Sequence, residues 1–178
     1  VLGKPAPTDA PKGQVEVVEF FWYSCPHCNA FEPRLEAWVK QLPKDVSFRR
    51  APVSFRADFE PQQRLYFVLE ALNLVDTLHA KVFYAIHVER KNLTTKDAIA
   101  TWIATQGVEK AKFLETYDSF SVASKARRAS QLQDAYEVAG VPSIGVGGRF
   151  YTDGQQAGSM ERVLQTTDFL VAELRKGR

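Results

Sequence analysis

Nine residues constrain this chain more than any others: Phe20-Phe21-Trp22-Tyr23-Ser24-Cys25-Pro26-His27-Cys28, an apolar run that ends in Cys-Pro-His-Cys. The chain has 178 residues and only these 2 cysteines, so all its thiol chemistry is confined to one tetrapeptide. Val15, Val17, Val18, Phe20, Phe21 and Trp22 form a nearly continuous β-rich run, the pattern of a strand buried on both faces. After the cysteines, Phe31, Leu35, Trp38, Val39 and Leu42 recur at helical spacing and predict a helix from Pro26 to about Gln41. Pro33 falls inside that helix and should kink it, and Pro43 ends it. Cys25 then takes the N-cap and Pro26 the first helical position, where proline's missing N–H costs nothing. A thiol placed there meets unpaired N–H groups and a partial positive charge, and both lower its pKa. Cys28, one turn further in, should be the more buried, resolving thiol.

Composition narrows the alternatives. With 45% hydrophobic and 12% aromatic residues, the chain suits one globular domain, or a domain carrying one large insertion. A net charge of +2 without a Lys/Arg block between aromatics argues against nucleic acid as a partner. No apolar run approaches the ~20 residues of a spanning helix. Val1 to Gly13 has no apolar signal-peptide core, so the chain reads as mature or trimmed, with its compartment unwritten. A disulfide closing so small a loop removes little unfolded-state entropy and is a poor staple. A closed zinc site wants four N or S ligands, and beyond the thiols the chain offers only His27, His79 and His87. No metal is expected.

Single polar residues near the cysteines carry two readings each. Glu19 is either an exposed acid near a strand end or a buried carboxylate beneath the cysteine pair. Its apolar flanks favour burial, and desolvation would then raise its pKa and let it pass a proton as Cys28 attacks or leaves. A buried acid needs a partner, and Arg49 or Arg50 in the next strand is the candidate. Because an arginine cannot shuttle protons, only Glu19 could do so. His27 is either a merely exposed imidazole or a donor that stabilises the Cys25 thiolate, more so when protonated.

Elsewhere the chain alternates less regularly. Val1 to Gly13, with Pro5, Pro7 and Pro11, is expected to be an extended lead-in lying on the surface or partly disordered. Val46 to Val53 reads as a second strand, parallel to the first because a helix separates them. From Ala57 the texture turns helical: Phe59 to Asn73, Val75 to Arg90, Thr94 to Thr105, Val108 to Phe120 and Val122 to Ala139. Thr94 to Asp97 looks like a capping box. This block of roughly 65 to 75 residues is too long for a loop inside a compact domain, so it is read as an inserted helical subdomain. His79 and His87 within it are read as ordinary core or surface histidines. Val141-Pro142-Ser143-Ile144-Gly145-Val146-Gly147-Gly148 predicts a proline bend, a short strand and a Gly-Gly hairpin turn into Arg149-Phe150-Tyr151. Met160, Val163, Leu164, Phe169, Leu170 and Leu174 predict a C-terminal amphipathic helix over the sheet.

Cys-x-x-Cys at a strand-to-helix junction resembles the thioredoxin superfamily, and Phe21-x-x-x-Cys25-Pro26-His27-Cys28 resembles its DsbA-type branch of periplasmic disulfide oxidases. Glu19, six residues before Cys25, and Val141-Pro142 match the same pattern, and the resemblance runs from about Gln14 to the C-terminal helix. It implies an α/β thioredoxin fold formed by residues 14–56 and 126–178, with 57–125 as the inserted all-helical subdomain and 1–13 as the lead-in. It implies that Cys25, Cys28, His27, Pro26 and Glu19 are catalytic, and that Pro142 is cis, with Val141 pairing to an extended substrate segment. The family tends to have a lysine where Arg49 or Arg50 stands. No cofactor beyond the Cys25–Cys28 disulfide is implied. The implied partners are reduced, unfolded or newly exported proteins and a quinone-linked membrane reoxidase, with the chain acting as a periplasmic monomer.

A Cys25 thiol depressed from about 8.5 to around 4 would stabilise the thiolate by roughly 6 kcal/mol. Stabilising the reduced form makes the disulfide a strong oxidant. A thiol-disulfide reductase or isomerase on the same fold is the first alternative, although such reductases usually carry Gly-Pro where Pro26-His27 stand. The second is a peptide-binding, chaperone-like module using the apolar surface around Trp22, Tyr23 and Pro142.

Overall fold

A computed structural model describes residues 1–177, which divide into two compact units. One comprises residues 1–21, 30–51 and 131 onward; the other comprises 22–29 and 52–130.

The first unit is built on a sheet. Among the described residues its strands are β1 (Val15–Phe21), β2 (Val46–Pro52), β3 (Ser143–Val146) and β4 (Phe150–Asp153), in the order β2-β1-β3-β4. The central β1 is shielded from solvent from Glu16 to Phe21, as its unbroken apolar texture requires. It runs antiparallel to β3, with Val17 opposite Val146 and Phe20 opposite Ser143. The turn from β3 to β4 uses Gly147 and Gly148 at φ 60° and 71°, a region that glycine enters without steric cost. A Cβ on Gly145 would overlap the ring of Tyr136, whose hydroxyl accepts the Gly148 amide at 2.8 Å. Helix α1 (Pro26–Lys40) contributes Phe31 and Leu35 to the core and helix α8 (Met160–Arg175) contributes Val163 and Val171. These meet Val17, Ile144 and Val146 of the sheet. Each such side chain contributes about 1.5–3 kcal/mol by leaving water.

The lead-in is more ordered than its prolines suggest. Leu2 and Ala6 donate their amides to the carbonyls of Arg149 and Gly148, both at 2.7 Å, and Ala6 is buried. The hairpin turn therefore holds it in place.

The second unit is helical. A 3-10 turn (Ala57–Phe59) leads into α2 (Glu60–Ala71), α3 (Val75–His87), α4 (Lys96–Ala104) and α5 (Lys110–Tyr117), followed by the start of α6 (Phe120–Ala135). Leu65, Val68, Leu69, Leu78, Val82, Ile99, Ile103, Phe113 and Val122 are buried among them. The capping box expected at Thr94 is displaced by one residue. Thr95 is the N-cap, accepting the Ala98 amide at 3.1 Å, while the Thr94 hydroxyl donates to Asn92 Oδ1 at 2.6 Å. A four-residue helix in the first unit, α7 (Gly154–Ala157), was not expected; Asp153 caps it by accepting the Gln156 amide at 2.8 Å.

Candidate active site

Cys25, Pro26, His27 and Cys28 form the entry to α1 and belong to the helical unit. The Asn29 amide donates to the Cys25 carbonyl at 3.1 Å, the first helical bond. The Cys28 amide donates to the Cys25 sulfur at 3.3 Å, so that sulfur does what a serine oxygen does at an ordinary N-cap. Both cysteines are thiols here; Cys25 is 7% exposed and Cys28 0%, whereas Pro26 and His27 are exposed. The Cys25 thiol is lowered from 9.0 to about 6. The hydrogen bond from the Cys28 side chain is the largest cause, and burial opposes it. The backbone amides of Cys28 and His27 lower it further, and the charge of His27 contributes last. The drop corresponds to about 4 kcal/mol in favour of the thiolate, less than a thiol near 4 would gain. His27 thus acts more through its amide than through its ring.

The three residues before Cys25 are each held within the helical unit. Trp22 stacks on Phe59, with ring centroids 4.0 Å apart and planes 7° from parallel. The Tyr23 hydroxyl lies 2.7 Å from His79 Nδ1, and the Tyr23 carbonyl lies 2.7 Å from His87 Nε2. Gln62 donates to the Ser24 hydroxyl at 2.8 Å and to the Leu93 carbonyl at 2.9 Å. The ordinary core-or-surface reading of His79 and His87 missed this. The spacing His79-x-x-x-Phe83-x-x-x-His87, one face of a helix, was the available signal.

The other sequence-selected residues belong to the sheet unit. Glu19 is 0% exposed, which rules out the exposed-acid reading. Of the two arginines considered, Arg50 is its partner, with Nε 3.5 Å from Glu19 Oε1. The Arg50 Nη2 atom also reaches Glu32 Oε1 at 2.7 Å. Arg49 instead pairs with Glu16 at 2.8 Å and with Asp9 at 3.1 Å. Glu32 escaped the sequence reading, although its spacing, four after Cys28 and seven after Cys25, is that of one helical face. Two buried carboxylates therefore share one guanidinium. The Val141–Pro142 bond is cis and opens β3, with Pro142 buried and Val141 half-buried.

Among the described residues, no three His, Cys, Asp or Glu side chains converge as metal ligands, and no helix is long and apolar enough to cross a membrane.

A family model described as DSBA-like thioredoxin domain matches residues 16–165. A thiol:disulfide interchange protein DsbA from Bordetella parapertussis is 47% identical over 176 residues, covering 98% of this chain and 83% of that protein. The protein of the same name from Pseudomonas aeruginosa is 41% identical over 174 residues, with 98% and 82% covered. The crystal structure of Pseudomonas aeruginosa DsbA superposes with a TM-score of 0.93 at 40% identity, covering 99% of this chain and 91% of that one. That of the oxidoreductase DsbA from Xylella fastidiosa gives 0.88 at 31% identity, with 99% and 98% covered.

Proposed function

This chain belongs to the family of DSBA-like thioredoxin domains, thiol:disulfide oxidoreductases, and we propose on that ground that it is a protein disulfide oxidase carrying its oxidising equivalents in the Cys25–Cys28 disulfide. The observation that carries the proposal is the Cys25 thiol, lowered to about 6 at a helix N-terminus. A stabilised thiolate favours the open, reduced pair, so the bonded pair is a ready donor. In the reaction a client thiolate attacks the Cys25 sulfur. The Cys25–Cys28 bond breaks, and its electron pair leaves on Cys28, which takes up a proton. A second client thiolate then attacks the client sulfur joined to Cys25, and Cys25 departs as a thiolate. The client loses two electrons and gains a disulfide; the pair gains the two electrons.

The residue roles follow the same reading. Cys25 is the attacked sulfur and Cys28 the resolving one, as their exposures of 7% and 0% suggest. Pro26 starts the helix without an amide to satisfy, and the His27 amide and charge support the thiolate. Glu19 would carry the proton that Cys28 takes or gives, with Arg50 as the fixed cation between Glu19 and Glu32. Val141 and Pro142 would align an extended client backbone. Residues 57–125 are assigned as an insertion into a thioredoxin-like domain formed by 14–56 and 126–178. The clients would be reduced proteins newly exported to the periplasm, and a quinone-linked membrane reoxidase would restore the disulfide.

Equilibration with glutathione tests the reading. The expected result is a pair far more oxidising than thioredoxin, with exchange abolished in Cys25→Ser; a potential near that of thioredoxin would return the chain to the reductases. The binding-module alternative loses support because Tyr23 is only 1% exposed and Pro142 is buried.

A further inference from the structure

Two histidines of the helical unit take no part in the exchange chemistry, yet both converge on one residue. His79, Phe83 and His87 recur at i, i+4 and i+8 along α3 and share a face. Tyr23, 1% exposed, lies along it. Its ring centroid is 5.2 Å from that of His79 and 5.1 Å from that of Phe83. Its hydroxyl meets His79 Nδ1 at 2.7 Å, and its carbonyl meets His87 Nε2 at 2.7 Å. A carbonyl oxygen can only accept, so Nε2 of His87 is the donor of this bond. His79 is 4% exposed, with the rings of Tyr66 and Phe83 edge-on to it at 5.6 and 5.2 Å. Burying an imidazole among aromatic rings is costly unless it is hydrogen-bonded, and any apolar ring would pack as well. Packing alone does not call for histidine at either position.

What the two histidines secure is the approach to Cys25. Tyr23 is gripped by side chain and main chain two residues before the reactive sulfur, and the Cys25 amide donates back to the Trp22 carbonyl at 3.1 Å. The start of α1 is therefore set by this turn. Donors to the Cys25 sulfur are sensitive to that placement, because a hydrogen bond weakens steeply with distance and angle, and the Cys28 amide already stands 3.3 Å away.

We propose that His79 and His87 are positioning residues for the redox pair: by clamping Tyr23 they hold the start of α1 where the Cys28 thiol and the amides of His27 and Cys28 converge on the Cys25 sulfur. This rests on the oxidoreductase reading and deepens it. The histidines act through Tyr23 and exchange no proton with the sulfurs.

Three variants of the full chain test it. His87→Phe keeps a ring against Phe83 and removes the donor; His87→Gln keeps a donor of similar reach; Tyr23→Phe removes only the hydroxyl held by His79. Two readouts are needed: the ultraviolet absorbance of the thiolate against pH, and the equilibrium in which the disulfide and two glutathione thiols give the dithiol and glutathione disulfide. In His87→Phe the thiolate midpoint should rise by about one pH unit, and the equilibrium constant for reduction by glutathione should fall about tenfold at pH above both midpoints. His87→Gln should stay near the parent, and Tyr23→Phe should move the same way by less. A His87→Phe protein that melts lower but titrates and equilibrates like the parent overturns the clamp. If that variant does not fold, Tyr23→Phe decides: a raised midpoint supports the clamp and an unmoved one overturns it. A parent chain that exchanges no disulfide with glutathione sinks the oxidase reading and the clamp together; normal exchange in the parent with unmoved variants sinks the clamp alone.

Discussion

The sheet unit and the helical unit differ in the charged groups they bury. In the sheet unit, beside the uncharged Gln133, Ser143, Thr152 and Thr167, there are buried ion pairs: Glu16 against Arg49 at 2.8 Å, and Glu19 and Glu32 against Arg50 at 3.5 and 2.7 Å. In the helical unit no Asp, Glu, Lys or Arg is buried among the described residues, and the buried polar contacts are Tyr23 with His79 at 2.7 Å, Ser24 with Gln62 at 2.8 Å, and Gln63 with the Pro52 carbonyl at 3.1 Å and Ser130 at 3.0 Å. The reactive sulfur sits among this second set. Its anion is stabilised first by a neighbouring thiol and by amides, and the charge of His27 contributes least. A scaffold without buried ions fixes geometry and leaves the dipoles of the helix start to act on the sulfur, whereas a buried ion would shift any nearby titration strongly. Buried ion pairs help to secure the sheet unit; in the helical unit the buried charge is the one the chemistry creates on the sulfur.

That contrast can be broken in four ways. Cys25→Ser should have the largest effect, abolishing disulfide transfer to a reduced test protein while the thermal melt still shows a folded chain; residual transfer would move the reactive group elsewhere. Arg50→Met should come next, destabilising the protein by about 3–5 kcal/mol in urea because two buried carboxylates lose their cation. A loss below about 1 kcal/mol would show those ions to be better solvated than their burial implies. The third concerns pH. The Cys25 thiol is depressed in the folded state, from 9.0 to about 6, so its contribution is complete above 9.0 and disappears as pH falls through about 6. The dithiol form should therefore gain up to about 4 kcal/mol over that interval, and the disulfide form should not. Parallel urea curves of the two forms at the ends of the interval would check it; equal gains would mean some other group titrates. The smallest effect should come from Thr95→Ala, about 1 kcal/mol of stability from the lost cap of α4, with the thiolate midpoint unmoved.

The features visible in the sequence are those that one segment carries by itself. The apolar run of β1, the helical stripe of Phe31 and Leu35, and the Gly147-Gly148 turn needed no knowledge of distant partners, and the thioredoxin-type fold was implied by the family resemblance that Cys-Pro-His-Cys, Glu19 and Val141-Pro142 carry. Boundaries moved by a few residues where end effects decide, as with Thr95 replacing Thr94 at the cap. Features made by partners far along the chain stayed hidden. Arg50 could not be told from its neighbour Arg49 until the alternation of β2 was fixed, since adjacent strand residues face opposite ways. Glu32 looked like any helical acid. His79 and His87 looked bland because their partner, Tyr23, lies 56 and 64 positions away. The lead-in looked loose because proline content speaks to local stiffness and says nothing of the carbonyls of Gly148 and Arg149 that receive its amides.

The unequal exposure of the two sulfurs gives the reduced protein a built-in reporter of its own opening. A water-borne alkylating reagent can reach Cys25, at 7% exposure, by small local motion, but Cys28, at 0%, only when the first turn of α1 comes apart. With the first sulfur blocked, the labelling rate of the second would time how often that turn unravels, without any dye or engineered probe.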